Sequence, residues 1–174
     1  MAARSSLDDK LAAIRSLRGQ VLTPEHKAEL LKRLGDRSNL IVAAAAGIVG
    51  ENALLDLAPE LEAAFDRFLI NPLKDDKLCR AKIAVIQALD RMEYSRPDVF
   101  LKAARHVQFE PVWGGSEDTA PPLRAAALIA LARRRDDRSG QGRTDRVGHG
   151  DGGRRRRGRG PAPAPQGPHR RPRS

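Results

Sequence analysis

Asp75–Met92, DDKLCRAKIAVIQALDRM, is the stretch on which the fold turns. Leu78, Ala81, Val85, Ala88 or Leu89, and Met92 recur at three- and four-residue steps, the spacing of one face of an α-helix. Ile83 and Ile86 widen that face beyond a single seam, so the stretch is expected to form a helix buried on two sides. Cys79 lies within it and is expected to pack as a small hydrophobe. As the one cysteine of the chain it cannot form an intrachain disulfide.

The stretch has two echoes. Ser38–Glu51 (SNLIVAAAAGIVGE) aligns beneath it with Ala43 on Ala81, Ala46 on Ala84 and Ile48 on Ile86. Glu117–Ala132 (EDTAPPLRAAALIALA) aligns with Arg124 on Arg80, Ala125 on Ala81, Leu128 on Ala84 and Ile129 on Val85. The offsets, about 38 and about 44 residues, lie near the ~40–47-residue period of helix-pair solenoids.

Around these echoes the chain punctuates itself. Ser6 caps a helix with Asp8 and Asp9 in its first turn and Leu7, Leu11, Ile14 and Leu17 as its stripe, closed by Gly19. Thr23-Pro24-Glu25 opens a second helix, with Leu30, Leu31 and Leu34 facing inward and Gly35 at its end. Leu40–Gly50 is the first buried helix. Pro59–Leu69 forms the next outer helix, burying Leu61, Phe65, Phe68 and Leu69. Pro97-Asp98 opens a helix running to His106, packed through Val99, Leu101 and Val107, with Phe100 near the seam. Gln108–Thr119 (QFEPVWGGSEDT) breaks the pattern at Pro111, Gly114 and Gly115 and reads as a loop. Helix Pro122–Ala132 follows.

Charge divides the chain. Residues from Arg133 to Ser174 hold 14 Arg against 4 Asp, so the whole net charge of +10 lies there and residues 1–132 balance. That tail is rich in Gly and Pro and has no aromatic residue, so it is expected to be disordered. Three regions result: an N-terminal capping helix over 1–20, a repeat domain over 21–134, and an Arg/Gly/Pro-rich tail over 135–174. No run approaches the ~20 apolar residues of a membrane span. Met1–Gln20 lacks the apolar core of a signal peptide. A cytoplasmic protein without membrane contact is expected.

Ser38 to Leu131 resembles a bacterial HEAT-repeat protein family, through SNLIVAAAAGIVGE, LEAAFDRFL and KIAVIQALDRMEYSRPDVFLKAARHVQFEPVWGGSEDTAPPLRAAALIAL. The His106–Gly115 stretch is its most distinctive part. The resemblance implies an all-α fold, a short right-handed α-solenoid of antiparallel helix pairs with about two and a half to three repeats, used for protein–protein contact. It brings no family-wide catalytic residues. Helical repeats would be expected to continue after Leu131, and here they do not. The tail therefore has two readings: a genuine arm, or a slip of reading frame near Arg133 in a GC-rich gene, which its Arg-without-Lys composition favours. A solenoid ending on an apolar helix without a polar cap is expected to self-associate.

No stretch announces a reaction. His106 and Glu110 lack the second His of a zincin helix, and Pro111 ends any helix there. Gly114-Gly115-Ser116 lacks the Lys of a P-loop. No Cys/His cluster has metal spacing, so neither metal nor cofactor is expected. HEAT-like repeats also occur in bilin lyases and some DNA glycosylases, but no catalytic constellation for either is present.

The expectation is thus a non-catalytic scaffold for an unidentified protein partner, with contact residues Glu110, Trp113, Gly114 and Gly115 in the loop. Trp113 either anchors an interface or folds back to plug the groove between repeats; both remain open here. The alternative is non-specific nucleic-acid binding by Arg154, Arg155, Arg156, Arg157 and Arg159. Such binding would weaken steeply with salt, without aromatics to stack on bases.

Overall fold

The computed structural model describes residues 6–144, and side chains to residue 135. These residues form helices α1 (Leu7–Ser16), α2 (Pro24–Leu34), α3 (Asn39–Glu51), α4 (Ala58–Ile70), α5 (Pro72–Asp75), α6 (Arg80–Arg91), α7 (Asp98–Ala104) and α8 (Pro121–Thr144), and strands β1 (Phe109–Val112) and β2 (Gly115–Asp118).

The starts of α1 and α2 follow from their capping residues. The Ser6 hydroxyl accepts from the Asp9 N–H, and the Asp9 carboxylate accepts from the Ser6 N–H, closing a capping box. Thr23 caps α2, and Pro24 occupies its first turn, where its missing N–H costs nothing.

The core is built on α6. Ala81, Val85, Ile86, Ala88, Leu89 and Met92 are buried. The helix contacts α3, α4, α7 and α8, so its wide apolar face meets neighbours on more than one side. The α3–α6 approach is close: a Cβ added at Gly50 would lie 2.7 Å from Ala88 Cα. Alanines 45 and 46 of α3 are fully buried. α2 packs on α3 and α4, and α7 packs on α8.

Several sequence expectations are corrected. The fold is mostly helical but not all-α: the expected loop contains a two-stranded antiparallel hairpin pairing Phe109 with Asp118 and Val112 with Gly115. Gly114 takes φ +84° in its turn, left-handed backbone open to glycine without a Cβ penalty. The organising helix begins only at Arg80, because Leu78 and Cys79 are both left-handed. Leu78, expected in the buried face, is therefore 48% exposed. Leu31 and Leu101 are exposed. On α2 the inward pair is Leu30 and Leu34, and on α7 the buried set Val99, Phe100 and Ala103 turns Leu101 outward. Val107, past the end of α7, is exposed as well. Finally, α8 runs to Thr144, so the expected tail begins inside a helix.

Candidate functional site

The hairpin stands on a buried polar cluster at the start of α6. Asp76, fully buried, folds back over the left-handed pair Leu78–Cys79. Its carboxylate accepts from the N–H groups of Ala81 (2.8 Å) and Lys82 (3.1 Å). It thereby caps α6, satisfying orphan donors and meeting the positive end of the helix dipole. Asn39 Nδ2 donates to the same carboxylate at 3.2 Å, and Lys82 Nζ pairs with it at 3.1 Å. The Lys82 ammonium is itself fully buried and also donates to the Phe68 carbonyl. A buried lysine requires such partners, because an unpaired charge there is costly.

Gln108 and Glu110 fasten the hairpin to this cluster. Gln108 Nε2 donates to the Asp76 carbonyl at 2.9 Å and to Glu110 Oε1 at 2.7 Å. Glu110 Oε1 also accepts from the Leu78 N–H (2.6 Å) and the Thr119 hydroxyl (2.8 Å). Burial opposes ionisation of Glu110, but the hydrogen bonds from Leu78, Thr119 and Gln108 outweigh it and hold its carboxyl below the usual range. Also at the base of the hairpin, on its second strand, Asp118 accepts from the N–H groups of Gln108 and Ala120 and pairs with Arg124 at 2.7 Å. Its carboxyl is held low, chiefly by the Ala120 N–H.

This clamp presents an apolar tip. Trp113 is 96% exposed, and Phe109, Val112 and Val107 are also exposed. Of the expected contact residues, Trp113, Gly114 and Gly115 lie at the tip; nothing stands within 4 Å of a Cβ added at either glycine. Trp113 does not plug a groove. Glu110 is buried and points into the clamp, where it supports the hairpin rather than facing outward. Arg154–Arg157 and Arg159 lie outside the described residues.

The titratable groups of the clamp are tied to one another. Burial pushes the Cys79 thiol up to about 11, away from the thiolate a nucleophile needs. Gln108 Oε1 takes both the thiol (3.3 Å) and His106 Nε2 (3.2 Å), so it stands between the two as a bridge. Burial lowers the His106 pKa, against the hydrogen bond with Gln108. Among the described residues no group of His, Cys, Asp and Glu is arranged to hold a metal ion, and no helix is long and apolar enough to cross a membrane.

Comparison with known proteins adds no assignment. No family model, curated protein or solved structure matches this chain. The sequence had singled out the hairpin stretch and Trp113, but not Asp76, Lys82, Gln108 or Thr119. Their only sequence signal is a set of polar residues flanking a buried helix, and the contacts that join the hairpin and Asn39 to Asp76 span 32 and 37 residues, beyond any local pattern.

Proposed function

We propose that this chain is a non-catalytic scaffold for protein–protein contact, a short right-handed α-solenoid of HEAT-type helix pairs with the 109–118 hairpin as its contact element. Three successive helix pairs support the repeat reading: α2 with α3, α4 with α6, and α7 with α8. The second member of each pair carries one of the aligned sequence echoes, and α6 packs against both α3 and α8. Repeats of this kind bury a continuous core by stacking and leave inserted segments on one face.

The observation that carries the contact reading is Trp113. An exposed tryptophan on a free loop would lose conformational entropy when bound. Here it is the tip of a hairpin whose base is tied by hydrogen bonds to the kink before α6, so it is presented in advance. Rigid exposed aromatics are the residues that most often dominate binding. On the same reading, the outward face of α8 is where the stack would continue, and a second copy of the chain could cover it.

The test is Trp113→Ala in the full chain. Its melting temperature should match wild type within the usual scatter of surface substitutions, about ±0.5 kcal/mol. Affinity capture with the variant as bait should lose the protein that wild type retains. A variant that keeps the same captured protein, or that melts early, would show that the tryptophan is not a presented anchor.

A further inference from the structure

A second feature lies on the same edge of the molecule. Gly35, Arg37, Arg67, Phe68, Lys74 and Asp75 line a cleft of about 510 Å³ where the ends of α2 and α4 meet α5. Its charge is lopsided: three cations face one carboxylate. Arg67 is held in place by its Nη2, which donates to the carbonyls of Leu34 (2.7 Å) and Asp36 (3.2 Å), while its guanidinium lies 5.1 Å from the centre of the Phe68 ring. Arg37 and Lys74, both exposed, have no hydrogen-bonding or ion-pairing side-chain partner among the described residues. Elsewhere the described surface pairs many of its cations: Lys10 with Asp36, Lys27 with Asp56, Arg96 with Glu62 and Lys102 with Asp66. Here two such cations without a partner flank a fixed arginine in a concave site.

The surroundings of the cleft narrow the ligand class. Seven of the 14 exposed large apolar side chains lie in the 70–78 and 107–113 segments: Ile70, Leu73, Leu78, Val107, Phe109, Val112 and Trp113. The hydrogen bonds of Glu110 to Leu78 and of Gln108 to Asp76 tie the 70–78 connector to the hairpin. A free inorganic anion has no use for apolar neighbours, and nucleic-acid backbone would meet a carboxylate and no continuous cationic track. A polypeptide carrying acidic and apolar side chains matches both features, since complementary charge fixes register while apolar anchors supply most of the affinity.

We propose that the Arg37–Arg67–Lys74 cleft binds a carboxylate of an acidic, apolar-rich peptide segment in the partner that the hairpin engages. This deepens the scaffold reading and rests on it for the partner, but the cleft and the hairpin are tested by different substitutions. Arg37 and Lys74 supply the mobile positive charge, and Arg67, whose Nη2 is already engaged by the Leu34 and Asp36 carbonyls, supplies a fixed one.

The experiment uses the full chain, a fluorescein-labelled peptide of alternating Glu and Leu, and the matching Lys/Leu peptide, with binding read by anisotropy. The Glu/Leu peptide should bind and the Lys/Leu peptide should not. The double substitution Arg37→Glu, Lys74→Glu should weaken binding by about tenfold or more, and added salt should weaken the wild-type complex. Both residues are exposed and unpaired, so the variant should melt with wild type. If the double variant binds the Glu/Leu peptide as well as wild type does, or if neither peptide binds, the cleft proposal is overturned. Inorganic phosphate that bound the cleft while the peptide did not would overturn it too. Trp113→Ala separates the two readings. Loss of binding with Arg37→Glu, Lys74→Glu alone keeps the cleft and removes the hairpin. Loss with Trp113→Ala alone does the reverse.

Discussion

Glu110 shows how far one residue's role can differ from its sequence context. In HVQFEP it sits beside the distinctive tryptophan and invites a surface role. In the fold its Oε1 takes three hydrogen bonds and ties β1 to the kink before α6. A pH dependence follows. The folded-state pKa of Glu110 is lowered, so its contribution is whole above the unfolded value of about 4.3 and is lost as pH falls through the folded value. His106 is lowered as well, so the unfolded chain protonates its imidazole first and stability begins to decline below about 6.5. Thermal melts from neutral to acid pH should therefore fall in two stages. Glu110→Gln should cost roughly 1–3 kcal/mol at neutral pH, the loss of hydrogen bonds to a buried charge. It should also flatten the lower stage, leaving only the part due to other lowered carboxylates such as Asp118. A variant whose acid limb matched wild type would show that Glu110 carries no such linkage.

At the scale of elements, what the sequence made legible was periodic and what it hid was strained or long-range. α1, α2 and α4 could be placed from capping residues and prolines, and the buried face of α6 from its spacing. The kink at Leu78 and Cys79 could not: no glycine marks it, and left-handed non-glycine backbone costs on the order of 1–3 kcal/mol per residue. It persists because it brings Asp76 onto the α6 amides beside Lys82 of the same turn, with Asn39 and Gln108 arriving from distant positions. The hairpin was hidden because four-residue strands containing Pro111 show no usable alternation. The close approach of α3 to α6 is made at Gly50, against Ala88. Two glycines of that helix separate packing from propensity. Gly50→Ala should destabilise by about 1–3 kcal/mol, because its Cβ would meet Ala88 backbone at 2.7 Å. Gly47→Ala, whose Cβ would come no nearer than 4.0 Å to the Arg18 side chain, should stabilise by roughly 0.5–1 kcal/mol. Denaturant midpoints that moved together in the two variants would refute the close α3–α6 contact.

For the whole molecule, α6 packs on both α3 and α8, and among the described residues the side of α8 away from α6 and α7 is left uncovered. Leu128 and Ile129 are 57% and 52% exposed, flanked on the same face by exposed Ala125 and Ala132. Val85, the α6 counterpart of Ile129, is fully buried. A face of two large side chains and two alanines is small beside a standard interface of about 800 Å² per partner, so a second copy should dock weakly, in the micromolar range or above. Charge gives the association a signature. Net charge of +10 per chain repels a second copy, and salt screens that repulsion while leaving apolar burial intact. Sedimentation equilibrium should therefore show mass rising with protein concentration, and rising further with salt. Leu128→Glu with Ile129→Lys should hold the chain monomeric throughout without lowering its melting temperature, since both side chains face solvent. Wild type that stayed monomeric at high concentration and high salt would mean the α8 face needs no cover. Association that weakened with salt would place the contact on the charged regions instead.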